Sequence, residues 1–86
     1  MIRRGSYVIS LKGHDTGRIY LVTELDGAFA YVSDGREHRI ARPKRKNIKH
    51  IFPILEGEET NPTVMTDGVL RKLLKEKGNI YDSIVN

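Results

Sequence analysis

The hydrophobic and polar positions of this chain change period part-way along it. Through the first fifty or so residues, apolar residues come in short runs broken by glycine and charge, the rhythm of short strands and tight turns. Tyr7–Leu11 predicts a first strand, ended by the polar, glycine-bounded stretch Lys12–Gly17. Arg18–Glu24, rich in branched and aromatic residues, predicts the second. Leu25-Asp26-Gly27 reads as a turn, because Asp-Gly supplies the positive φ that a hairpin needs. Ala28–Ser33 is then the third strand, and Asp34-Gly35 a second turn of the same chemistry. Glu37–Ala41 and Ile48–Phe52 follow as strands four and five, with Pro43 between them, where a missing N–H costs no ladder bond. Five short strands at this spacing predict a mainly β fold, a small five-stranded antiparallel barrel spanning residues 1–55.

Residues 56–65 are polar and turn-rich (Gly57, Glu58, Glu59, Asn61, Pro62) and read as a linker. The period then becomes helical in the C-terminal segment 66–86. Between Thr66 and Lys77, Val69, Leu70, Leu73 and Leu74 fall on one face. Thr66 or Asp67 suits the N-cap, Lys75 and Lys77 suit the C-terminal dipole, and Gly78 is a natural stop, with residues 79–86 extending the helix or fraying. Strand segments Ile19-Tyr20-Leu21-Val22 and Phe29-Ala30-Tyr31-Val32 are apolar at consecutive positions, so both of their faces need cover. A barrel covers only its inner face, and the helix stripe is the apolar surface left to serve as a lid. The sequence therefore predicts a C-terminal α-helix packed outside the barrel, on strands two and three.

A chain of 86 residues holds one small core, and the absence of Cys excludes disulfides and thiolate metal sites. The longest apolar run is the five residues Ala28–Val32, far short of a membrane span or a signal-peptide core, which makes the cytoplasm the expected location. Charge changes the picture more. Residues 1–50 carry eleven Lys and Arg against five Asp and Glu, whereas residues 51–86 carry four against six. The positive field thus belongs to the first half alone. It peaks between Arg36 and His50, where Arg36, Arg39, Arg42, Lys44, Arg45, Lys46 and Lys49 face a single acid, Glu37. That density suits a polyanionic partner better than a small substrate.

Two constellations carry specific spacing. The first is Gly5-x-x-Val8-x-Ser10-x-x-Gly13-x-Asp15-x-Gly17-Arg18. Gly13 and Gly17 allow a tight reversal between strands, and such a loop can also bring amides, Lys12 and Arg18 close to a phosphate. It is not a P-loop: three residues separate the glycines, and Arg-Ile follows where Lys-Ser/Thr is required. This spacing resembles the KOW motif, a strand–loop–strand unit of ribosomal proteins and transcription elongation factors, with Gly17 at the hallmark glycine. The second is Asp34-Gly35-Arg36, Arg39, and then Pro43-Lys44-Arg45-Lys46-Asn47-Ile48-Lys49-His50-Ile51 with Pro53 after it. It resembles a narrower group, the small bacterial KOW-domain RNA-binding proteins, similar to archaeal and eukaryotic large-subunit ribosomal proteins. The resemblance spans residues 5–54 and implies an SH3-like barrel that binds structured RNA, often ribosomal RNA in the translation machinery. Relatives often place basic residues where this chain has His14 and Thr16.

The RNA-contacting residues expected from charge and resemblance together are Arg36, Arg39, Arg42, Lys44, Arg45, Lys46 and Lys49. Lys12 and Arg18 flank the first loop (Gly13, Asp15, Gly17), while Asn47 and His50 order or extend the binding edge. Lys44-Arg45-Lys46 falls between two predicted strands, so three like charges are expected to face water side by side, and an anion would relieve them. Tyr7, Tyr20, Phe29, Tyr31, Phe52 and Tyr81 fall mostly at predicted core positions, which favours shape-led contact with the RNA backbone over base stacking. His14, His38 and His50 are too widely spaced for a metal site, no catalytic arrangement stands out, and no cofactor is expected. A monomeric, non-catalytic RNA-binding protein is the leading expectation. The alternative is a KOW-type protein-interaction adaptor in translation or transcription, with Ile9, Leu11 and the helix stripe as its docking candidates.

Overall fold

The computed structural model describes all 86 residues. Strands β1 (Tyr7–Ser10), β2 (Ile19–Asp26), β3 (Phe29–Ser33), β4 (Lys44–Asn47) and β5 (Ile51–Ile54) form one antiparallel sheet in the order β4-β3-β2-β1-β5. Short 3₁₀ turns at Ile48–His50 and Pro62–Val64 precede β5 and the helix α1 (Asp67–Val85). The long strand β2 serves both halves of the sheet. It pairs with β1 through Ile19, Tyr20 and Leu21, and with β3 from Leu21 to Asp26. A register slip between Val22 and Glu24 marks the bulge that bends it between the two. The β2–β3 hairpin closes on the two-residue loop Gly27-Ala28, with Gly27 at φ 59°.

The alternation of the strands builds two cores. Val8, Tyr20, Val22, Ala30, Val32 and Ile51 fill the inside of the barrel. Tyr7, Leu21 and Ile54 point the other way and pack against Leu70 of α1, with Ile9, Ile19, Leu74 and Tyr81 at the margin. The fold is thus a mainly β small barrel with its helix outside. The lid, however, lies over β1, β2 and β5, where β2 and β3 were expected. The outer face of β3 is served differently: Phe29 is covered by the Arg45 guanidinium, 4.4 Å from the ring centre.

The fourth strand also differs. Glu37–Ala41 forms no strand, because Asp34 Oδ1 accepts from the amides of Arg36 and His38 while His38 O accepts from Asp34 N and Gly35 N, winding the segment into a compact loop. Strand four is Lys44–Asn47, the basic segment itself. The fifth strand begins at Ile51 because Asn47 Oδ1 caps the amide of Lys49 at 2.9 Å and holds Ile48–His50 as a 3₁₀ turn. Helix α1 starts where expected, with Thr66 Oγ1 accepting from Val69 N at 3.2 Å. It runs through Gly78 to Val85, because Ile80 and Tyr81 keep the apolar side partly buried beyond the glycine.

Residues 56–65 are pinned to the barrel. Thr60 N donates to Gly5 O at 3.0 Å, and the hydroxyls of Thr60 and Tyr7 bond at 2.6 Å. Gly5 is required there, since at φ 91° a Cβ would sit 2.8 Å from Thr60 O. Lys77 of the helix closes the same corner, bonding Glu58 Oε1 at 2.6 Å, which pushes its amine above the ordinary lysine value.

The lid geometry carries two expected outcomes, both read by urea denaturation. Leu70→Ala removes a fully buried side chain from the outer core and is expected to cost about 2–5 kcal/mol; a loss under about 1 kcal/mol would mean that the helix is not seated as described. Gly78→Ala is expected to stabilise by about 0.5–1 kcal/mol, since the added Cβ meets only Ile19 Cδ1 at an ordinary 3.7 Å. Destabilisation by that variant would show the helix lying closer to β2.

Candidate nucleic-acid interface

The basic residues singled out from the sequence divide into two populations according to what they touch. In β4, Lys44 and Lys46 pair with Val32 and Ala30 of β3, both inward-facing, so their side chains enter one end of the barrel. Arg45, one residue out of phase, stands on the opposite face. Lys46 is 7% exposed, and its ammonium has a full set of partners: Ser10 Oγ, Lys12 O and Asp15 Oδ1, each at 2.9 Å. Asp15 Oδ2 accepts from Tyr20 Oη at 2.7 Å and Lys44 Nζ at 3.3 Å, and Ser10 Oγ donates to Asp15 Oδ1 at 3.0 Å.

This network plugs the barrel and leaves no buried side-chain polar atom unpaired. Burial alone would push the Asp15 carboxyl up. The hydrogen bonds from Tyr20, Lys46, Ser10 and Lys44 outweigh it and hold the group well below the usual carboxylate range. Burial, and then the bond to Asp15, pushes the Tyr20 phenol far above its ordinary value. The expectation that Lys44-Arg45-Lys46 faces water as a triplet is therefore corrected. Lys46 is internal, Lys44 is half engaged, and only Arg45 lies on the exposed face, over the Phe29 ring.

Arg18 is also committed, its guanidinium lying 3.7 Å from Asp34 and 3.5 Å from Glu37. Asn47 serves as the cap of the 3₁₀ turn, and His50 O accepts from Leu11 N, so both order the edge through hydrogen bonds. Gly13 and Gly17 adopt φ of 101° and 90° in the first loop, which carries Asp15 into the barrel. The three histidines lie on separate elements: His14 in that loop, His38 tilted against Tyr20, and His50 in the 3₁₀ turn. No group of three or more His, Asp or Glu side chains is placed to hold a metal ion.

The remaining cations form the second population. Lys12, Arg36, Arg39, Arg42, Arg45 and Lys49 are exposed, and none is ion-paired. Five of the six follow the chain through the β3–β4 loop, along β4 and into the 3₁₀ turn. Arg45 is held over the Phe29 ring, so its planar fork is partly ordered in advance. No family model matches this chain, and no curated protein matches it. No helix is long and apolar enough to cross a membrane.

Residues that the linear reading missed complete the surface. Arg71, Lys72 and Lys75 of α1 line recesses shared with Arg36, so the positive field is not confined to the first half of the chain. Two signals in the sequence point to these features. Lys44 and Lys46 stand at strand spacing, which puts both on one face, and Arg71, Lys72 and Lys75 share the polar side of a helix whose apolar side is plainly marked.

The buried pair sets an acid dependence. Because the Asp15 pKa is depressed on folding, its stabilisation is fully present above its unfolded value of about 3.9 and is lost as pH falls below that. Asp15→Asn strands the Lys46 charge inside the barrel and is expected to cost about 3–5 kcal/mol near neutral pH. Urea denaturation at a series of pH values checks both: the wild type should lose stability steeply below about pH 4 and the variant much less so. Parallel acid limbs for the two proteins would remove Asp15 from this role.

Proposed function

We propose that the protein is a non-catalytic, cytoplasmic RNA-binding protein that holds structured RNA, ribosomal RNA first among candidates, through its exposed cations. The observation that carries the proposal is the set of six exposed cations without a carboxylate partner: Lys12, Arg36, Arg39, Arg42, Arg45 and Lys49. Five of the six follow one another along the stretch Arg36–Lys49, and like charges at that density repel, which a polyphosphate backbone relieves. Guanidinium forks suit bidentate phosphate contact, and four of the six are Arg. The resemblance of residues 5–54 to KOW-domain RNA-binding proteins points the same way.

Within this proposal the roles differ from those expected on sequence. Lys44 and Lys46 set the position of β4, and Arg45, at the middle of the strand, meets the RNA. Lys49 and Lys12 lie near each other across the Leu11 N–His50 O bond, which joins the first loop to the 3₁₀ turn. Phe29 sits under Arg45, and Tyr7 and Tyr20 are buried; Phe52, expected in the core, is instead 57% exposed, and one such ring makes a poor stacking platform. Recognition is accordingly led by backbone shape. The adaptor alternative draws on Leu11, just after β1, and Phe52 of β5, of which Leu11 is 48% exposed.

Binding to a hairpin RNA duplex, followed by fluorescence anisotropy across a salt series, tests the proposal. Four to six phosphate contacts are expected to give a log–log slope of roughly −3 to −5, by analogy with DNA. Arg45→Glu with Lys49→Glu should weaken binding by about a hundredfold or more while costing no more than about 1 kcal/mol of stability, because both side chains are exposed and the folded state loses only the Arg45–Phe29 contact. A slope near zero, or full affinity in the double variant, would defeat the assignment.

A further inference from the structure

A second group of cations lies away from β4. The β3–β4 loop packs against the start of α1 through two bonds: Ile40 N donates to Asp67 Oδ1 at 2.9 Å, and Arg71 Nη1 donates to Gly35 O at 2.7 Å. Gly35, at φ 75°, permits this approach, since a Cβ there would lie 2.6 Å from Asp67 O. The contact leaves two adjoining recesses between loop and helix, which share Arg36, Arg71 and Lys75.

Their charge balance differs. The first recess, about 480 Å³, also holds Arg18 and three carboxylates, Asp34, Glu37 and Asp82, the first two of which pair with Arg18. The second, about 460 Å³, is lined by Arg36, Arg71, Lys72 and Lys75 with Thr66, Gly68 and Val69, and by no carboxylate. Asp67, the acid of the first helical turn, has an oxygen bound to the Ile40 amide. Neither Arg36, Lys72 nor Lys75 makes an ion pair.

Four cations that converge on one concavity raise their mutual repulsion, and an anion placed among them lowers it. The open, shallow form of the recess suits a phosphate carried on a chain that enters and leaves. We propose that this recess binds a backbone phosphate of RNA, so that the RNA contact is bipartite: one part on Arg45 and Lys49, the other on Arg36 and α1. The β3–β4 loop joins the two parts, running from Arg36 past Arg39 and Arg42 into β4. The inference rests on the RNA-binding proposal and extends it to the helix.

The test compares three full-length proteins on the same hairpin RNA duplex: wild type, Lys72→Gln with Lys75→Gln, and Arg45→Gln with Lys49→Gln. Gln preserves helix propensity, and Lys72 and Lys75 are exposed, so folding is expected to be unaffected; circular dichroism and the urea midpoint check that. The helix variant is expected to bind about fivefold to thirtyfold more weakly at moderate salt, with a salt slope shallower by about 1 to 2. In the wild type, the amide resonances of Arg36, Gly68 and Lys72 should shift on RNA addition.

If the helix variant keeps the wild-type affinity and slope while the Arg45/Lys49 variant weakens, RNA binding stands and the bipartite inference is overturned. If the helix variant alone weakens, the recess is confirmed and the β4 edge loses its role. Absence of binding by the wild type would overturn both.

Discussion

The position of β4 depends on one buried charge. Lys46 reaches from the edge strand β4 into the barrel end and ties Ser10, the Lys12 carbonyl and Asp15 together. Two ions taken out of water lose hydration that their attraction does not fully return, so such a pair is a poor source of net stability compared with packed hydrocarbon. Its effect is geometric. An ammonium with three fixed acceptors and a carboxylate with four donors allow only one register of β4 against the first loop. A strand of sequence Lys-Arg-Lys-Asn has weak preference for the sheet on its own, and this network specifies where it lies. The same constraint decides which cations remain outside. With Lys44 and Lys46 turned in, the strand alternation sends Arg45 out and stacks it on Phe29.

The parts of the fold that were legible in the sequence are those governed by hydrocarbon. Ile19–Val22 and Phe29–Val32 are apolar at successive positions, so a covering element was required, and the Leu70–Leu74 stripe could provide it. The parts that were not legible are governed by polar contacts between distant residues. Nothing near Glu37–Ala41 announces that Asp34 will bind two amides downstream and coil the segment, since alternating His38 and Ile40 mimic a strand. Nothing local marks Asp15 as the partner of a lysine thirty-one residues away. Gly78 illustrates a different gap: glycine ends a helix when the chain beyond has no reason to continue, and Ile80 and Tyr81 supply that reason through tertiary packing.

Linear charge counting has a similar blind spot. The second half of the chain is net acidic, yet its carboxylates and its cations serve different places. Glu58 binds Lys77 at the linker corner, Glu56 meets the amino terminus, and Asp67 accepts the Ile40 amide. Lys72 and Lys75 lie beside Arg36 with no carboxylate partner, and Arg71 there bonds only the Gly35 carbonyl. Local field follows the distances between charges, and those are set by how the helix packs and not by where it falls in the sequence.

The helix thereby performs two tasks that depend on each other. Its apolar side seals the outer face of β1, β2 and β5, which a thin barrel of this length has no other means to cover. Seating that side fixes the rotation of the helix about its own axis, and so fixes where the polar side points. The bonds from Asp67 to Ile40 and from Arg71 to Gly35 then lock the β3–β4 loop to the same element. A change that loosens the lid should therefore disturb the relative placement of Arg36 and Lys72 before it unfolds the barrel, because the inner core of Val8, Tyr20, Val22, Ala30, Val32 and Ile51 does not include the helix. In this arrangement, burial of hydrocarbon on one side of α1 is what gives the charge on its other side a defined position.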